Sequence, residues 1–364
     1  MKQMLAGHTT WLSIFAALSC AGPSLAAEEA PGWADRIVVH GDLRLRYDMV
    51  REDLSEDRDR ARFRGRFGIT GDISPDVKAV FALATGGDDP VSANENFGDG
   101  FTTKDIGIDL AYVEWQFGGD WTFTGGKMPK PWFRAGDTTL VWDGDLNPEG
   151  LVVSYGGKKL FGSAGTFVVE ERSSDAESRL NTLQAGVKLP VADDSQLTMA
   201  LALFDYTNTI GNEPFYDGNP QGNTVDAAGN YVFAYSEVEL GAEYKTQVGN
   251  WPLTFFGDYV VNTEVDREDT AYTVGIAVGA AKAPGSMQFN YAWHDTGADA
   301  LIATYNDSDL ADGITDATGH YFRARYVLRE KIVLTGSFIF SEYGDFTGNP
   351  RDFDHFMFDI QFNF

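Results

Sequence analysis

Four arginines at every second position are the first residues in this chain able to do chemistry together. Arg60, Arg62, Arg64 and Arg66 alternate with Ala61, Phe63, Gly65 and Phe67. Successive side chains of an extended strand point to opposite faces, so all four guanidinium groups fall on one face. Arg44 and Arg46 alternate with Leu43 and Leu45, and Arg323 and Arg325 repeat the spacing near the other end of the chain. A guanidinium holds a carboxylate or another oxyanion through a fork of N–H donors. Two readings follow. Either the arginines form a basic wall along a passage for solutes, or they are a structural ladder that pairs with Asp42 and Asp48.

A second charged group lies in the stretch 128–149. It holds the basic residues Lys130 and Arg134 and the acids Asp137, Asp143, Asp145 and Glu149, punctuated by Pro129, Pro131 and Pro148. Set against an arginine face, these acids would create a transverse field, and fixed charges are how pores select ions. The plainer reading is an ordinary outer loop.

Other chemistries fail on spacing. Asp143-Gly144-Asp145-Leu146-Asn147 begins like a calcium loop. Its sixth position would be Pro148 and its twelfth Ser154, which excludes an EF-hand; a looser calcium contact in the acidic loops stays open. His40, His294, His320 and His355 lie too far apart in the chain for a metal-ligand motif. No Gly-x-Ser-x-Gly elbow occurs, and the glycine-rich turns match no phosphate cradle. No enzyme activity, no metal and no cofactor is expected.

The elements that must position these residues are strands. Short alternating segments, divided by Gly, Asn, Asp and Pro, predict sixteen of them: 36–49, 58–72, 76–85, 105–117, 120–127, 150–160, 163–171, 180–189, 195–206, 233–247, 251–262, 270–281, 286–295, 320–329, 331–343 and 354–364. Within 105–117 the apolar residues change parity, which predicts a bulge near Ala111. The connections alternate between tight turns, such as Gly118-Gly119, and long polar loops at 86–104, 128–149, 207–232 and 296–319. Short turns at one end, long loops at the other and an even strand count are the layout of an outer-membrane barrel. The expected fold is therefore all-β, a transmembrane antiparallel β-barrel of sixteen strands. Lipid-facing arginine would cost roughly 2–4 kcal/mol each at mid-bilayer, so the arginines must face the lumen. Trp121, Trp251, Tyr259, Trp293, Tyr343 and Phe364 suit the interfacial aromatic girdles.

Composition agrees. Among 364 residues there are 40 Gly, 26 Phe, 15 Tyr and 8 Trp, and 43% hydrophobic content excludes a membrane helix bundle. Residues 1–27 read as a signal peptide, with Lys2, an apolar run from Trp11 to Leu18, and small residues around Ala26 and Ala27. Residues 28–364 form the single barrel domain. The one cysteine, Cys20, lies inside the leader; Leu18, two residues before it, argues against a lipoprotein. The net charge of -26 makes nucleic acid a poor partner.

At this point a resemblance becomes specific. His40-Gly41-Asp42-Leu43-Arg44-Leu45-Arg46-Tyr47-Asp48, the run Arg60 to Phe67, Ala84-Thr85-Gly86, Leu110-Ala111-Tyr112-Val113, Gly125-Gly126-Lys127-Met128 and Trp142-Asp143-Gly144-Asp145-Leu146 resemble the bacterial "putative porin" family. That family is distantly similar to phosphate-selective porins. The motifs concentrate in 36–155, and the remainder is covered by pattern only. The resemblance implies a secreted barrel of the Gram-negative outer membrane, embedded in lipid and lipopolysaccharide. It implies a passive, water-filled channel for small hydrophilic solutes and ions. It implies that 128–149, the third long-side loop, folds into the lumen, so that its acids face the arginines. It also implies a homotrimer, and a terminal Phe364 read by the barrel-assembly machinery. The alternative is a substrate-specific channel for phosphate or another oxyanion.

Overall fold

The computed structural model describes Gly32, residues 36–173 and residues 176–364. The chain divides into two units, Met1–Arg36 and Ile37–Phe364. The predicted leader, with Cys20, lies outside the described residues.

Ile37–Phe364 is one closed antiparallel sheet. In chain order the strands are β1 (Ile37–Glu52), β2 (Arg58–Ser74), β3 (Val77–Thr85), the two-residue β4 (Glu95–Asn96), β5 (Ile106–Gly118), β6 (Trp121–Lys127), β7 (Glu149–Gly156), β8 (Leu160–Glu170) and β9 (Ser178–Ala192). They continue with β10 (Ser195–Tyr206), β11 (Tyr235–Val248), β12 (Trp251–Asn262), β13 (Thr270–Gly279), β14 (Met287–Thr296), β15 (Ala317–Arg329), β16 (Ile332–Tyr343) and β17 (Arg351–Asn363). Sixteen of them make the wall, each paired with its sequence neighbour. β4 only extends the edge of β2, through Arg62 and Phe63. β1 closes the ring by pairing with β17 from Asp42↔Asn363 to Glu52↔Phe353. Closure leaves no open edge, which a lipid-embedded sheet requires because no water reaches its backbone.

Each predicted segment is a strand, and no end differs by more than four residues. The alternation is the cause: one face of each strand meets an apolar exterior and the other the interior. Phe67, Phe81, Trp121, Leu183, Phe255, Phe289 and Phe358 stand exposed on the outside. The bulge in β5 falls at Asp109, two residues before the predicted Ala111. Ala82 pairs with Leu110 and Leu83 with Ile108, leaving Asp109 over. The shift keeps Ile106, Ile108, Val113, Trp115 and Phe117 all outside and turns Asp109 inward to Arg66. Tyr343 departs from the girdle. It shares the inner parity of Ile339 and Ser341, and its hydroxyl bonds Glu52 at the loop rim.

The seam is built around a glycine. Phe364 exchanges backbone hydrogen bonds with Gly41, at 3.0 and 3.3 Å. A Cβ on Gly41 would stand 2.5 Å from the Phe364 ring and 2.2 Å from the Arg66 carbonyl oxygen. The aromatic terminus therefore covers the one wall position on β1 with no side chain.

The hydrophobic core lies inside the barrel, beneath the long loops. Trp132, Leu140 and Trp142 of the loop 128–148 pack with Phe215 and Tyr231 of the loop 207–234 and with Leu301 and Ile302 of the loop 297–316. Phe167, Phe204, Tyr235 and Val260 supply the wall side of that core. The third loop is thus one of three that fold inward.

Candidate functional site

The arginine face is set by strand register. β1 and β2 place Arg44 opposite Arg64 and Arg46 opposite Arg62, while Asp42 faces Arg66 and Asp48 faces Arg60. Like charges directly opposite one another are destabilising, so this cluster needs acids around it. Arg46 makes a fork to Asp359 of β17, at 2.8 and 3.0 Å, and reaches Asp309 at 3.5 Å. Asp48, fully buried, takes Arg60 at 2.8 Å and Arg62 at 3.3 Å. Arg64 joins Asp42 at 3.0 Å and Asp145 at 3.2 Å. Arg66 joins Asp145 at 2.9 Å and Asp109 at 3.4 Å.

Three predicted wall arginines lack a carboxylate among the described residues. Arg44 donates only to Asn94 Oδ1, at 2.6 Å. Arg323 donates to the Tyr321 hydroxyl and lies over that ring at 4.8 Å. Arg325, on the same inner parity, is exposed. The pairing ladder to Asp42 and Asp48 therefore describes Arg60 and Arg62 fully and Arg64 in part, and leaves Arg44, Arg323 and Arg325 free of it.

The loop 128–148 crosses the interior. On one side the Gly136 N–H donates to Glu243 of β11 at 3.1 Å, and both backbone groups of Phe133 bond the Gln184 amide of β9. On the other side Asp145 meets Arg64 and Arg66 of β2. In the ring of sixteen, β11 and β2 stand on opposite sides. The loop is held in shape by Lys130, whose ammonium donates to the carbonyls of Asp143, Gly144 and Leu146 at 2.8, 3.3 and 2.6 Å. The stretch that began like a calcium loop thus turns its carbonyls to a lysine of its own chain.

The four loop acids do not act alike. Asp145 reaches the arginines; burial alone would raise it, but Arg66, Arg64 and Arg44 together hold it below the usual carboxylate range. Asp143 lies beside that contact but bonds Ser308, through its N–H at 3.0 Å and its hydroxyl at 2.9 Å. Burial, and then Asp307, raise Asp143 well above the usual range. Asp137 stands exposed at the Glu243 side of the lumen, in the turn Ala135–Asp137. Glu149 opens β7 and pairs across the ladder with Lys127 at 2.8 Å. Neither of these two pairs with the wall arginines: Asp137 turns beside β11, on the opposite side of the ring, and Glu149 is held by Lys127 in the β6–β7 ladder. Arg134 likewise stays away from them, donating to the Thr138 carbonyl at 2.8 Å.

The loop 297–316 adds a partner that alternation could not reveal. Its tip carries Asp307, Ser308 and Asp309. Asp307 accepts from the Thr139 hydroxyl, and burial with the neighbouring Asp309 pushes it up to about 6. Asp309 meets Arg46, and its carbonyl bonds His355 Nδ1 at 3.1 Å. A further acid group also escaped sequence reasoning: Glu237, Glu239 and Glu243 of β11 with Asp258 of β12, all buried on the inner face. The signal existed, since Glu237 and Glu239 alternate with Val238 and Leu240 just as the arginines alternate.

Three cavities share lining residues through the interior. The largest, of about 910 Å³, opens among the long loops and is lined by Asp88, Asp89, Asp105, Asp109, Asp145, Glu149 and Glu170. A cavity of about 270 Å³ joins Arg44, Arg46, Arg64, Arg66 and Arg323 to Asp143, Asp145, Asp307 and Asp309. A third, of about 400 Å³, reaches His40 and Phe364 at the short-turn end. Asp145 belongs to the first two, and Arg66 and Gly144 to the second and third.

A closed sixteen-stranded antiparallel barrel with charged walls and inward-folded loops is the architecture of an outer-membrane porin. The family described as "Putative porin" matches residues 49–224 and 222–364, and the chain belongs to it. Membership makes it a passive channel and not an enzyme. None of the curated proteins matches the chain by sequence. Among solved structures it is similar in fold to OprB of Pseudomonas putida in its high-pH structure. That match has 13% identity and a TM-score of 0.58, covering 90% of this chain and 94% of that one. OmpF of Salmonella typhi, in a complex with daunomycin, matches at 11% identity and a TM-score of 0.54, covering 90% and 97%. The outer-membrane channel DcaP of Acinetobacter baumannii matches at 12% identity and a TM-score of 0.51, with the same coverage.

Proposed function

We propose that this porin passes small hydrophilic solutes and ions through a narrowing between the arginines of β1 and β2 and the tips of the loops 128–148 and 297–316. The observation that carries this is Asp145, delivered by a loop anchored on β11 to Arg64 and Arg66 on the opposite wall. Charges fixed on both sides of a narrow passage set a transverse field, and such rings select ions. Arg44, Arg323 and Arg325 leave the wall side with cations that no carboxylate among the described residues answers, so the channel prefers anions at the narrowing despite its acidic outer cavity.

The mature chain follows removal of a leader within residues 1–27 and assembles as a homotrimer in the Gram-negative outer membrane, against lipid and lipopolysaccharide. The barrel-assembly machinery reads the terminal Phe364.

Single-channel reversal potentials in a salt gradient test the field. The native channel is expected to favour anions. Arg62→Ala with Arg64→Ala leaves Asp42 without its ion pair and leaves Asp48 and Asp145 with one arginine each, Arg60 and Arg66, which moves the preference toward cations. A cation preference in the native channel that the double variant leaves in place would refute the arginine side of the reading. Cross-linking in detergent tests the trimer.

A further inference from the structure

We propose that the cavity between Arg44, Arg64, Arg66 and Arg323 is a discrete binding site for one oxyanion of a small solute, a carboxylate, sulfate or phosphate group, held chiefly by Arg44. The inference rests on the porin reading and names what the narrowing binds.

Three observations converge. The first is the set of unused donors. Arg44 and Arg64 both line the cavity of about 270 Å³, and the Nε–H of each is buried without a hydrogen-bond partner among the described residues. Arg64 itself is only 7% exposed. A buried charged donor left unmade is costly, and native structures rarely keep several in one place without an acceptor to meet them. The second is the position of Arg44. Among the described residues it forms no ion pair, yet Asn94 Oδ1 fixes its Nη2 at 2.6 Å. The guanidinium is therefore oriented without being neutralised, and a fork fixed in orientation favours a planar or tetrahedral oxyanion over a simple halide.

The third is charge. Of the five arginines that line the cavity, Arg46 is answered by Asp359 and Asp309, Arg64 by Asp42 and Asp145, and Arg66 by Asp145 and Asp109. Arg44 and Arg323 have no carboxylate among the described residues. A bound anion would answer these two. The volume accommodates a small oxyanion with several waters, each of which takes about 30 Å³ in the liquid.

The test is conductance of the purified full-length channel in planar bilayers. Chloride current is measured against added sulfate, inorganic phosphate or succinate, and against the concentration of each as sole anion. The expected result is saturation of the oxyanion current and block of the chloride current by at least one of the three; which of them blocks identifies the source of the oxyanion. Arg44→Gln should raise the blocking concentration by about tenfold or more, the usual effect of losing a charge-assisted hydrogen bond. Arg44→Lys keeps the charge but loses the fork, and should also weaken block. Asn94→Ala serves if Arg44→Gln fails to insert: it leaves every charge in place and frees Arg44 to swing, so block should again weaken.

Linear conductance in all three oxyanions with no chloride block overturns the site and leaves the porin reading standing. Native-like block in Arg44→Gln, Arg44→Lys or Asn94→Ala overturns the assignment to Arg44. Absence of any channel current overturns the porin reading itself.

Discussion

At the scale of single residues, burial and neighbouring charge prepare two loop groups to titrate near neutrality. Asp307, pushed up to about 6, sits beside Asp309 at the arginine cavity. Lys130, clasped by three carbonyls, is brought down to about 8 by burial and by Arg134. Raising the pH through 6 removes a proton from Asp307 and adds a negative charge. Raising it through 8 removes a proton from Lys130 and takes away a positive one. Both steps act in the same direction, so the anion-to-cation permeability ratio should fall twice between pH 5 and pH 9. Reversal potentials across that range measure it. Asp307→Asn should abolish the lower step alone, which separates it from titration of the nearby His355. A flat profile in the native channel would show that neither group feels the passage.

At the scale of elements, the closing seam is the most demanding contact. The strands β1 and β17 lie far apart in the chain and must find one register, since a slip of one residue would send Arg44 and Arg46 into lipid. Gly41 and Phe364 help define that register, because the ring lies where a Cβ would be. Gly41→Val puts carbon into both the Phe364 ring and the Arg66 carbonyl. Overpacking of this kind costs about 1–3 kcal/mol. The expected outcome is a lower yield of folded barrel, read as loss of heat-modifiable gel mobility, with single-channel conductance unchanged in the molecules that do insert. Deleting Phe364 should act in the same way.

The strands themselves were legible in the sequence, because a wall between lipid and lumen imposes period-two alternation on every one of them. The bulge at Asp109 was legible only as a change of parity, since alternation marks which residues share a face and not which residue is the extra one. The arginines were legible for the same reason as the strands. Their partners were less so: Asp42 and Asp48 lie in the neighbouring register, but Asp309 and Asp359 arrive from more than 250 positions away.

At the scale of the whole molecule, two cooperative structures share one chain. The barrel is held by a closed hydrogen-bonded ladder and by lipid. The narrowing is held by an inner core in which three loops meet, and its apolar members have no period to betray them. Phe215, Tyr231, Leu301 and Ile302 are scattered among Gly, Asn and Asp, so these loops read as polar excursions and not as parts of a core. Polar anchors complete the fit: Asn223 of one loop donates to the carbonyls of Ala298 and Leu301 of another and accepts from the Ala303 N–H.

Trp142 is the pivot, with ring centroids 4.8 Å from Trp132, 5.0 Å from Phe204 and 6.5 Å from Tyr305. Removing it takes roughly 3–5 kcal/mol from the inner core and nothing from the ladder. Trp142→Ala should therefore leave heat-modifiable mobility intact while loosening the loop 128–148. Without that loop held across the lumen, Asp145 no longer reaches Arg64 and Arg66. Conductance should rise, current noise should increase and ion preference should weaken together. If conductance and selectivity both stay native in Trp142→Ala, the narrowing is set by the wall alone, and the inner core serves only to fill the barrel.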